Sequence, residues 1–405
     1  MRWVVVNVKV LSGKGHVGGN FVRVEDGDRV LVFDQGIRFD VLARYYGGFI
    51  APKSLHELRE VGAIPKAEWY AGASAVYISH MHLDHLGLLA NIPAKVKVYI
   101  PSLSVYEILE EKWRDSPTWL SMVPRKYYLE LREVRPLEVD ENNVMPLPVS
   151  HSAYPAYAFL YFGSDETVLY TGDFRVEGFH SDELWDHPLM LDYLGENRDI
   201  RVDRLVIEGT NLGAHRSPIS PAEEESMLKR ILAEHSLVVT TMHPLDAEYA
   251  FFVATLARDY NRPLYIASDE VAKLVELTEL PTGAMILDKY VKAASRLERV
   301  EVADIEGNAL IIAPYSRIAD LLRDLRVKGS LLPNAAVTLS EPEPQVEEAQ
   351  EYSALMNWFA KLGVQSYAMR VSGHYYPYQL KRIMSVVKPR DIELVHSART
   401  SISHA

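Results

Sequence analysis

The chain contains no cysteine, and this absence removes several kinds of chemistry. Disulfide bonds, thiol catalysis and cysteine-ligated metals are excluded, so histidine, aspartate and glutamate remain as the strong metal ligands. Glutamine is also scarce, with five residues in 405. A scarcity of these two thermolabile residue types is a weak compositional sign of an organism that grows at high temperature.

Long apolar runs are absent as well. No stretch approaches the roughly 18 apolar residues that a membrane span needs, and Asn7 and Lys9 interrupt the valines of the first ten residues, unlike a signal-peptide core. We therefore expect a cytoplasmic protein without a membrane partner. With 405 residues and 48% apolar composition, the chain is long enough for two sizeable cores.

The net charge of −12 argues against a nucleic-acid substrate, because phosphate binding normally uses clustered Lys and Arg. One local cluster argues the other way. It combines basic and aromatic residues, which can bind a polynucleotide strand by charge and stacking: Trp113, Arg114, Trp119, Arg125, Lys126, Tyr127, Tyr128, Arg132 and Arg135. A solvated helix face with some buried aromatics is the other interpretation, and both stay open.

The densest chemical signal is the segment His-Met-His-Leu-Asp-His-Leu-Gly from His80 to Gly87, which follows the strand-like run 75–79. Imidazole and carboxylate are ligands that zinc accepts, and their crowding is best compensated by a cation. The pattern predicts a dinuclear metal site at a sheet edge. The alternative is a polar loop with incidental histidines.

Further polar residues stand at the ends of apolar runs, where an α/β sheet presents functional groups. They are Asp34, His151, Asp173, Glu208 and His396. Each one alone is more typical of a hydrogen-bonded structural residue than of a ligand. Their order together with the histidine-rich segment favours a shared site.

The rhythm of the chain changes at Ser220, where a capping box with proline at the first helical position begins a helix. Up to this point β-rich runs alternate with turns. From about 220 to 365, helix-like and apolar strand-like stretches alternate in the manner of a parallel, doubly wound unit. Histidine-bearing segments then resume at 371–374 and 392–396, which indicates an insertion.

The order of Asp34, the segment His80–His85, His151 and Asp173 resembles the four successive motifs of the metallo-β-lactamase fold. The phrases around the next three polar residues resemble motifs A, B and C of the β-CASP branch, whose members are nucleases: Glu208 in Ile-Glu-Gly-Thr-Asn, His374 in Val-Ser-Gly-His and His396 in Leu-Val-His-Ser. Two phrases, residues 170–174 and 371–374, are similar to those of ribonuclease J, and Gly18-Gly19-Asn20 resembles its archaeal form.

This resemblance implies an α/β fold, namely a metallo-β-lactamase αββα sandwich with an inserted β-CASP parallel α/β domain. The discontinuous metallo-β-lactamase domain would consist of residues 1–210 and 366–405, and the β-CASP domain of residues 211–365.

The resemblance also implies roles for these residues. One metal ion would bind His80, His82 and His151, and the other Asp84, His85 and His396, with Asp173 bridging them. Asp34 would steady the ligand histidines without being a ligand. His374 would protonate the leaving oxygen with Glu208 hydrogen-bonded to it, and Asp84 would orient the hydroxide or accept its proton. The cofactors implied are two Zn²⁺, with Mn²⁺ possible.

The implied activity is a zinc-dependent ribonuclease that hydrolyses single-stranded RNA through a metal-bridging hydroxide, as a 5′-to-3′ exonuclease, an endonuclease or both. A homodimer or an RNA-processing complex is the expected assembly. Tyr375 and Tyr376 stand where ribonuclease J has a small residue, so contacts to substrate are expected to differ. The alternatives are a metallohydrolase of a small ester or phosphodiester and a catalytically inactive RNA-processing scaffold.

Overall fold

The structure of the protein is a computed structural model. It describes residues 5–47, 50–114, 122, 129–179, 181–212, 218–279, 281–305, 307–328, 334–340 and 349–401. The chain forms two compact units. The first unit is Met1–Val176, Trp185–Ser217 and Gly373–Ala405, and the second unit is Glu177–Leu184 and Pro218–Ser372. The domain boundaries 210/211 and 365/366 remain a prediction of the sequence.

The strands, in chain order, are β1 Asn7–Ser12, β2 Phe21–Asp26, β3 Arg29–Phe33, β4 Ala75–Tyr77, β5 Lys97–Ile100, β6 Glu130–Glu133, β7 Val144–Pro148, β8 Tyr157–Phe162, β9 Thr167–Tyr170, β10 Arg204–Glu208, β11 Leu237–Thr240, β12 Leu264–Ile266, β13 Met285–Leu287, β14 Arg299–Val300, β15 Leu310–Ile312, β16 Ala335–Leu339, β17 Gln365–Ala368 and β18 Asp391–Val395.

The α-helices are α1 Phe39–Tyr46, α2 Leu55–Val61, α3 Leu83–Leu86, α4 Leu103–Arg114, α5 Ser181–Leu184, α6 Met190–Glu196, α7 Pro221–Glu234, α8 Ala247–Asp259, α9 Asp269–Thr278, α10 Ile318–Lys328, α11 Ala349–Leu362 and α12 Leu380–Val387. Short 3₁₀ turns include Leu89–Asn91 and Pro377–Gln379. Helix α7 begins with the predicted capping box, in which Ser220 and Glu223 bond each other's backbone.

Two mixed sheets form the first unit. One has the order β1-β2-β3-β4-β5-β6, and its strands from β3 onward are parallel. The other has the order β18-β10-β9-β8-β7, in which β18, β10 and β9 are parallel. The last strand of the chain therefore lies at the edge of a sheet, next to β10.

The two sheets pack face to face over a shared apolar core. The rings of Phe33 on β3 and Phe159 on β8 lie 5.7 Å apart, and Tyr77 and Tyr170 join the same buried cluster. The outer face of the second sheet packs against α6 and α12 through residues such as Leu194. The carboxyl ends of strands from both sheets carry the candidate ligands.

Strand β7 contains two prolines, which the interior of a sheet does not tolerate. Pro146 and Pro148 are both buried, and each removes a backbone donor from the ladder. Because β7 is at the edge of its sheet, one side of its backbone needs no strand partner, and proline is tolerated there.

The second unit is built on a single parallel sheet with the order β14-β13-β12-β15-β11-β16-β17. Its strands are apolar on both faces. Val238 and Leu310 lie in one core with helices α7, α8 and α9, whereas Val239 and Ile311 lie in the other with α10 and α11. A sheet covered on both faces is what the continuous apolar runs predicted.

Residues 83–91 do not form one continuous helix. Helix α3 ends at Leu86, and Gly87 follows with a φ of 61°. A Cβ at this position would lie 1.9 Å from the carbonyl oxygen of Gln35, so only glycine allows the approach. The interruption is caused by a tertiary contact that helical periodicity does not report.

Among the described residues, no helix combines the length and the apolar character that crossing a membrane requires.

Candidate metal centre

The histidine-rich segment follows β4 and leads into α3, so its ligand candidates are held at the carboxyl end of a central strand. His80 and His85 are fully buried, while His82 and Asp84 are partly exposed. The structure therefore brings both buried and accessible donors to the edge of the first sheet, as the sequence predicted for this segment.

His151 comes from the loop after β7 and joins His80 and His82. The donor atoms of these three residues lie within 4.8 Å of one another, and His151 Nε2 is 3.2 Å from His82 Nδ1. The Nδ1–H of His151 donates to the carbonyl of Gly373 at 2.5 Å. Its Nε2 lone pair is consequently left facing the other two imidazoles.

His396 follows β18 and joins Asp84 and His85 in a second group. Its Nε2 lies 3.0 Å from Asp84 Oδ2, although the two residues are 312 positions apart. The hydroxyl of Thr210 donates to the His396 carbonyl at 3.3 Å and accepts from His396 Nδ1 at 2.7 Å. This pair of bonds directs Nε2 toward Asp84.

Asp173 lies between the two groups. Its Oδ2 is 3.0 Å from His85 Nε2, 3.9 Å from His80 Nε2 and 4.0 Å from His151 Nε2. Its Oδ1 is 3.5 Å from His396 Nδ1. The carboxylate therefore contacts members of both groups, which is the position that a bridging ligand requires.

Asp34 belongs to none of the donor groups found among the described residues. Its Oδ2 accepts a hydrogen bond from His85 Nδ1 at 2.6 Å, and its two oxygens accept from the backbone and hydroxyl of Ser79 at 2.7 and 2.8 Å. Tyr170 donates to the same carboxylate. The structure thus places Asp34 behind the ligand candidates, where it orients His85.

Ser79 and Tyr170 were missed by the sequence reasoning. The Ser79 hydroxyl donates to Asp34, so its lone pair accepts from Nδ1 of His80 at 3.0 Å. Asn20 in turn donates to the Tyr170 hydroxyl at 3.1 Å. Their positions in the sequence could have indicated a role at the site. Ser79 directly precedes the histidine segment, and Tyr170 begins the phrase that ends in Asp173 and Phe174.

His374 and Glu208 are hydrogen-bonded, with 3.2 Å between His374 Nδ1 and Glu208 Oε1. Glu208 is fully buried at the end of β10, and its Oε2 accepts from the Thr210 backbone N–H at 2.9 Å. Asn211 donates to the carbonyls of His374 and Tyr375 at 3.3 and 2.9 Å. The phrase after Glu208 therefore supplies the contacts that place His374.

The geometry also permits a second interpretation of this pair. Donor atoms of Asp173, Glu208, His374 and His396 lie within 4.8 Å of one another, so His374 is close enough to compete as a ligand. Its Nδ1 is 3.8 Å from Asp173 Oδ2. A metal analysis of a His374 variant separates the two roles.

Burial is the largest influence on the pKa of the buried histidines. It lowers the pKa of His80 well below its usual value, and the charge of His85 adds to the effect. The pKa of His151 is likewise held far below its usual range by burial and by His82. Neutral imidazole is the form that coordinates a metal.

Charged neighbours outweigh burial at Asp84, whose pKa is lowered, and at His85 and His374, whose pKa values are raised. Burial alone would lower the pKa of His85, but Asp173 and Asp34 raise it well above normal. Burial would raise the pKa of Asp84, yet His85 and His396 bring it below its usual value. Burial likewise opposes a raised pKa at His374, where Glu208 and Asp173 prevail.

Several buried polar atoms bear on whether these residues fit a cation. Within the described part of the chain, His80 Nε2, His85 Nε2 and Asp173 Oδ1 find no hydrogen-bond partner. A buried polar atom without a partner costs about 1–3 kcal/mol. The Nδ1–H of His80 donates to the Ser79 hydroxyl, so the inward Nε2 of this neutral ring is a lone pair. A nitrogen and oxygen donor set of this kind fits a divalent metal.

No family model matches the chain. Similarity to curated proteins extends over nearly all of it. Ribonuclease J of Helicobacter pylori strain 26695 is 22% identical over 426 residues, covering 96% of this chain and 56% of that protein. Ribonuclease J of Pyrococcus abyssi is 23% identical, covering 86% of this chain and 68% of the relative. The chain spans about half the length of the first of these relatives.

Two further similarities are to a 5′ exonuclease and to a solved structure. The 5′ exonuclease Apollo of Gallus gallus is 24% identical over 250 residues, covering 59% of this chain and 47% of that protein. A solved structure of a protein of unknown function from Enterococcus faecalis matches 97% of this chain and 94% of that chain, with a TM-score of 0.69 and 18% identity.

These similarities confirm the predicted fold class and the predicted resemblance. The curated relatives of this chain, ribonuclease J and Apollo, are both members of the β-CASP branch of the metallo-β-lactamase superfamily, and the chain has a fold of that kind.

Proposed function

We propose that the chain is a metal-dependent ribonuclease that hydrolyses phosphodiester bonds of single-stranded RNA. The observation that carries the proposal is the convergence of six donor side chains around Asp173, with inward polar atoms that lack a hydrogen-bond partner among the described residues. The names of the relatives, ribonuclease J and 5′ exonuclease, support a polynucleotide as substrate.

The donor groups support the following assignment. His80, His82 and His151 hold one cation, and Asp84, His85 and His396 hold the other, with Asp173 shared. Zinc is the first candidate and manganese the second, because only nitrogen and oxygen donors are present. Two such cations supply an activated water at neutral pH and neutralise the negative charge that develops on the phosphate.

The chain's own residues would contribute in two further ways. His374 donates a proton to the leaving 3′-oxygen from Nε2, because its Nδ1 is held by Glu208 at 3.2 Å. Such general acid assistance contributes about 10² to 10⁴ in rate. Asp84 is partly exposed, so its carboxylate is accessible to orient the attacking water and to accept its proton.

The direct test compares RNA and DNA strands of identical sequence, labelled at the 5′ end, in the presence of zinc or manganese. We expect RNA to be cut and the activity to disappear with a chelator. Cleavage of DNA alone would contradict the choice of substrate. RNA substrates with one or three 5′ phosphates, followed by sizing of the products, separate release of mononucleotides from internal scission.

A metal analysis and an assay of small esters distinguish the proposed function from the two alternatives. A preparation that is folded but binds neither zinc nor manganese would favour the inactive scaffold. Turnover of a small ester without any action on RNA would favour the small-molecule hydrolase.

A further inference from the structure

The described members of the basic and aromatic cluster between residues 113 and 135 do not form a free cationic surface. Residues 115–121 and 123–128 lie outside the described residues. Trp113 is buried. The guanidinium of Arg132 contacts the carboxylates of Glu130 and Glu141, and Arg135 lies 3.5 Å from Glu138. These cations already have counter-charges within the chain.

A second stretch has an unusual charge distribution. Residues 352–390 contain no aspartate or glutamate, although acidic residues occupy 55 of the 405 positions. The same 39 residues include six basic side chains: Lys361, Arg370, Lys381, Arg382, Lys388 and Arg390. Positive charge is thus concentrated in one segment of an acidic protein, and the segment includes His374.

Part of this segment forms helix α12, which is amphipathic. Leu380, Ile383 and Val387 are buried against the first unit, whereas Lys381, Arg382 and Lys388 are exposed. We call these three cations the α12 basic face. None of them forms an ion pair with any residue that the structure describes.

The surroundings leave this positive charge uncompensated. Arg390, just beyond the helix, is paired with Asp203 at 3.1 Å and is not part of the face. Helix α6 packs against α12 and carries the exposed acids Asp192 and Glu196, yet neither lies in ion-pair contact with the face. By comparison, basic residues elsewhere in the first unit, such as Arg204, do have carboxylate partners.

An exposed aromatic ring stands at the start of the same helix. Tyr378 is 66% exposed, and its ring lies nearly parallel to that of Tyr376, with 5.6 Å between the centroids and 19° between the planes. Both belong to the short connection from His374 to α12. Cations beside an exposed aromatic ring are the combination that binds single-stranded nucleic acids, by charge and by base stacking.

We propose that the α12 basic face, together with Tyr378, binds the RNA strand outside the metal centre. This inference rests on the proposed function and extends it to a second contact with the same substrate. A polyanion supplies a counter-charge for three exposed cations, and a base can stack on the exposed ring of Tyr378. An acidic protein surface satisfies the cations but makes no use of the tyrosine.

The test measures binding rather than cleavage. A fluorescent single-stranded RNA with phosphorothioate linkages, which resist hydrolysis, is titrated with the metal-loaded protein at several KCl concentrations. For the triple variant Lys381→Gln, Arg382→Gln, Lys388→Gln, we expect the slope of log K against log[KCl] to become shallower by about 2, since each phosphate contact on a single strand contributes about 0.7.

Two further variants make the result specific. Tyr378→Ala should weaken binding by about 5-fold or more without changing the salt slope, because stacking is not ionic. The matched control is Lys53→Gln, Lys66→Gln, Lys95→Gln, which removes the same charge from exposed positions of the first unit. It should leave the slope within experimental error of the parent protein.

An unchanged slope in the α12 triple variant, or an equal change in both triple variants, would overturn the proposal. The proposal would also be overturned if the α12 substitutions weakened binding of a polyglutamate peptide but left the affinity for RNA unchanged. Cleavage of unmodified RNA is scored separately. A protein that binds RNA through this face but cuts no RNA would refute the proposed function and leave the binding surface standing.

Discussion

Three of the candidate ligand histidines have a rear nitrogen that meets a different protein group in each case. His85 donates to the carboxylate of Asp34, His151 to a backbone carbonyl, and His396 to the hydroxyl of Thr210. A hydrogen bond at this position selects the tautomer and the ring orientation of a metal ligand. Thr210 has a second task, because its backbone N–H holds Glu208. One residue therefore aligns a ligand and the partner of the proposed acid.

We predict that Thr210→Val weakens binding of the cation held by His396, by about 10- to 100-fold, because valine keeps the shape but removes the hydroxyl. Competition with a chromophoric chelator measures the affinity directly. Thr210→Ser keeps the hydroxyl and should retain most of the affinity. If the valine variant binds both metals as tightly as the parent, Thr210 has only a packing role.

A second residue-scale prediction separates the proposed acid from the ligands. His374→Ala should slow cleavage by about 10² to 10⁴ while keeping two metal ions per chain, because the residue acts on the leaving oxygen. His82→Ala should lose metal and turnover together. Metal content by elemental analysis, measured beside the cleavage rate, reports both effects. Loss of metal in His374→Ala would show that His374 is a ligand.

At the scale of elements, the candidate metal centre depends on the close approach of the loops that follow the neighbouring strands β3 and β4 to each other. A Cβ on Gly36, in the loop after β3, would lie 1.6 Å from the carbonyl oxygen of Asp84. Backbone hydrogen bonds join the same two loops, from Gln35 to His85 and from Ile37 to Leu83. The loop after β3 therefore positions α3, and with it two of the candidate ligands.

We predict that Gly36→Ala lowers the free energy of unfolding by about 1–3 kcal/mol, since the backbone of α3 has to move. Metal affinity should fall as well, because Asp84 and His85 move with that backbone. Gly195→Ala in α6 is the control, because a Cβ there meets nothing within 4 Å. In a helix this change should stabilise the protein by about 0.5–1 kcal/mol. Chemical denaturation of both variants measures the difference.

The sequence predicted the strand ends that carry the ligand candidates, because apolar runs followed by His or Asp are visible locally and their order matched a known pattern. It did not predict the supports behind them. Tyr170 reaches Asp34 across 136 positions of chain, and Thr210 reaches His396 across 186. The first contact joins the two sheets and the second joins the neighbouring strands β10 and β18, so neither exists until the chain has folded. The break at Gly87 has the same origin, since it depends on the backbone of Gln35.

At the scale of the whole molecule, the metal centre lies within the first unit alone. All the candidate ligands, from His80 to His396, belong to that unit, and the parallel sheet of the second unit supplies none of those in the described donor groups. Binding energy from the cations should therefore stabilise one unit more than the other.

We expect chelation to lower the melting temperature of the first unit, because a ligand at 100 times its Kd contributes about 2.7 kcal/mol. Hydrogen exchange followed by mass spectrometry locates the effect. Protection should fall in the loops around His80 and in β18, while β11 and β16 of the second unit stay protected. Equal loss of protection in both sheets would contradict a centre confined to the first unit.

The edge position of β18 has a consequence for biosynthesis. This strand is the last one in chain order, pairs only with β10 among the described strands, and delivers His396 to Asp84. During translation the other six ligand candidates emerge long before it. A chain synthesised only as far as β17 accordingly lacks one ligand of the proposed centre, so we expect the centre to form only after β18 has paired with β10.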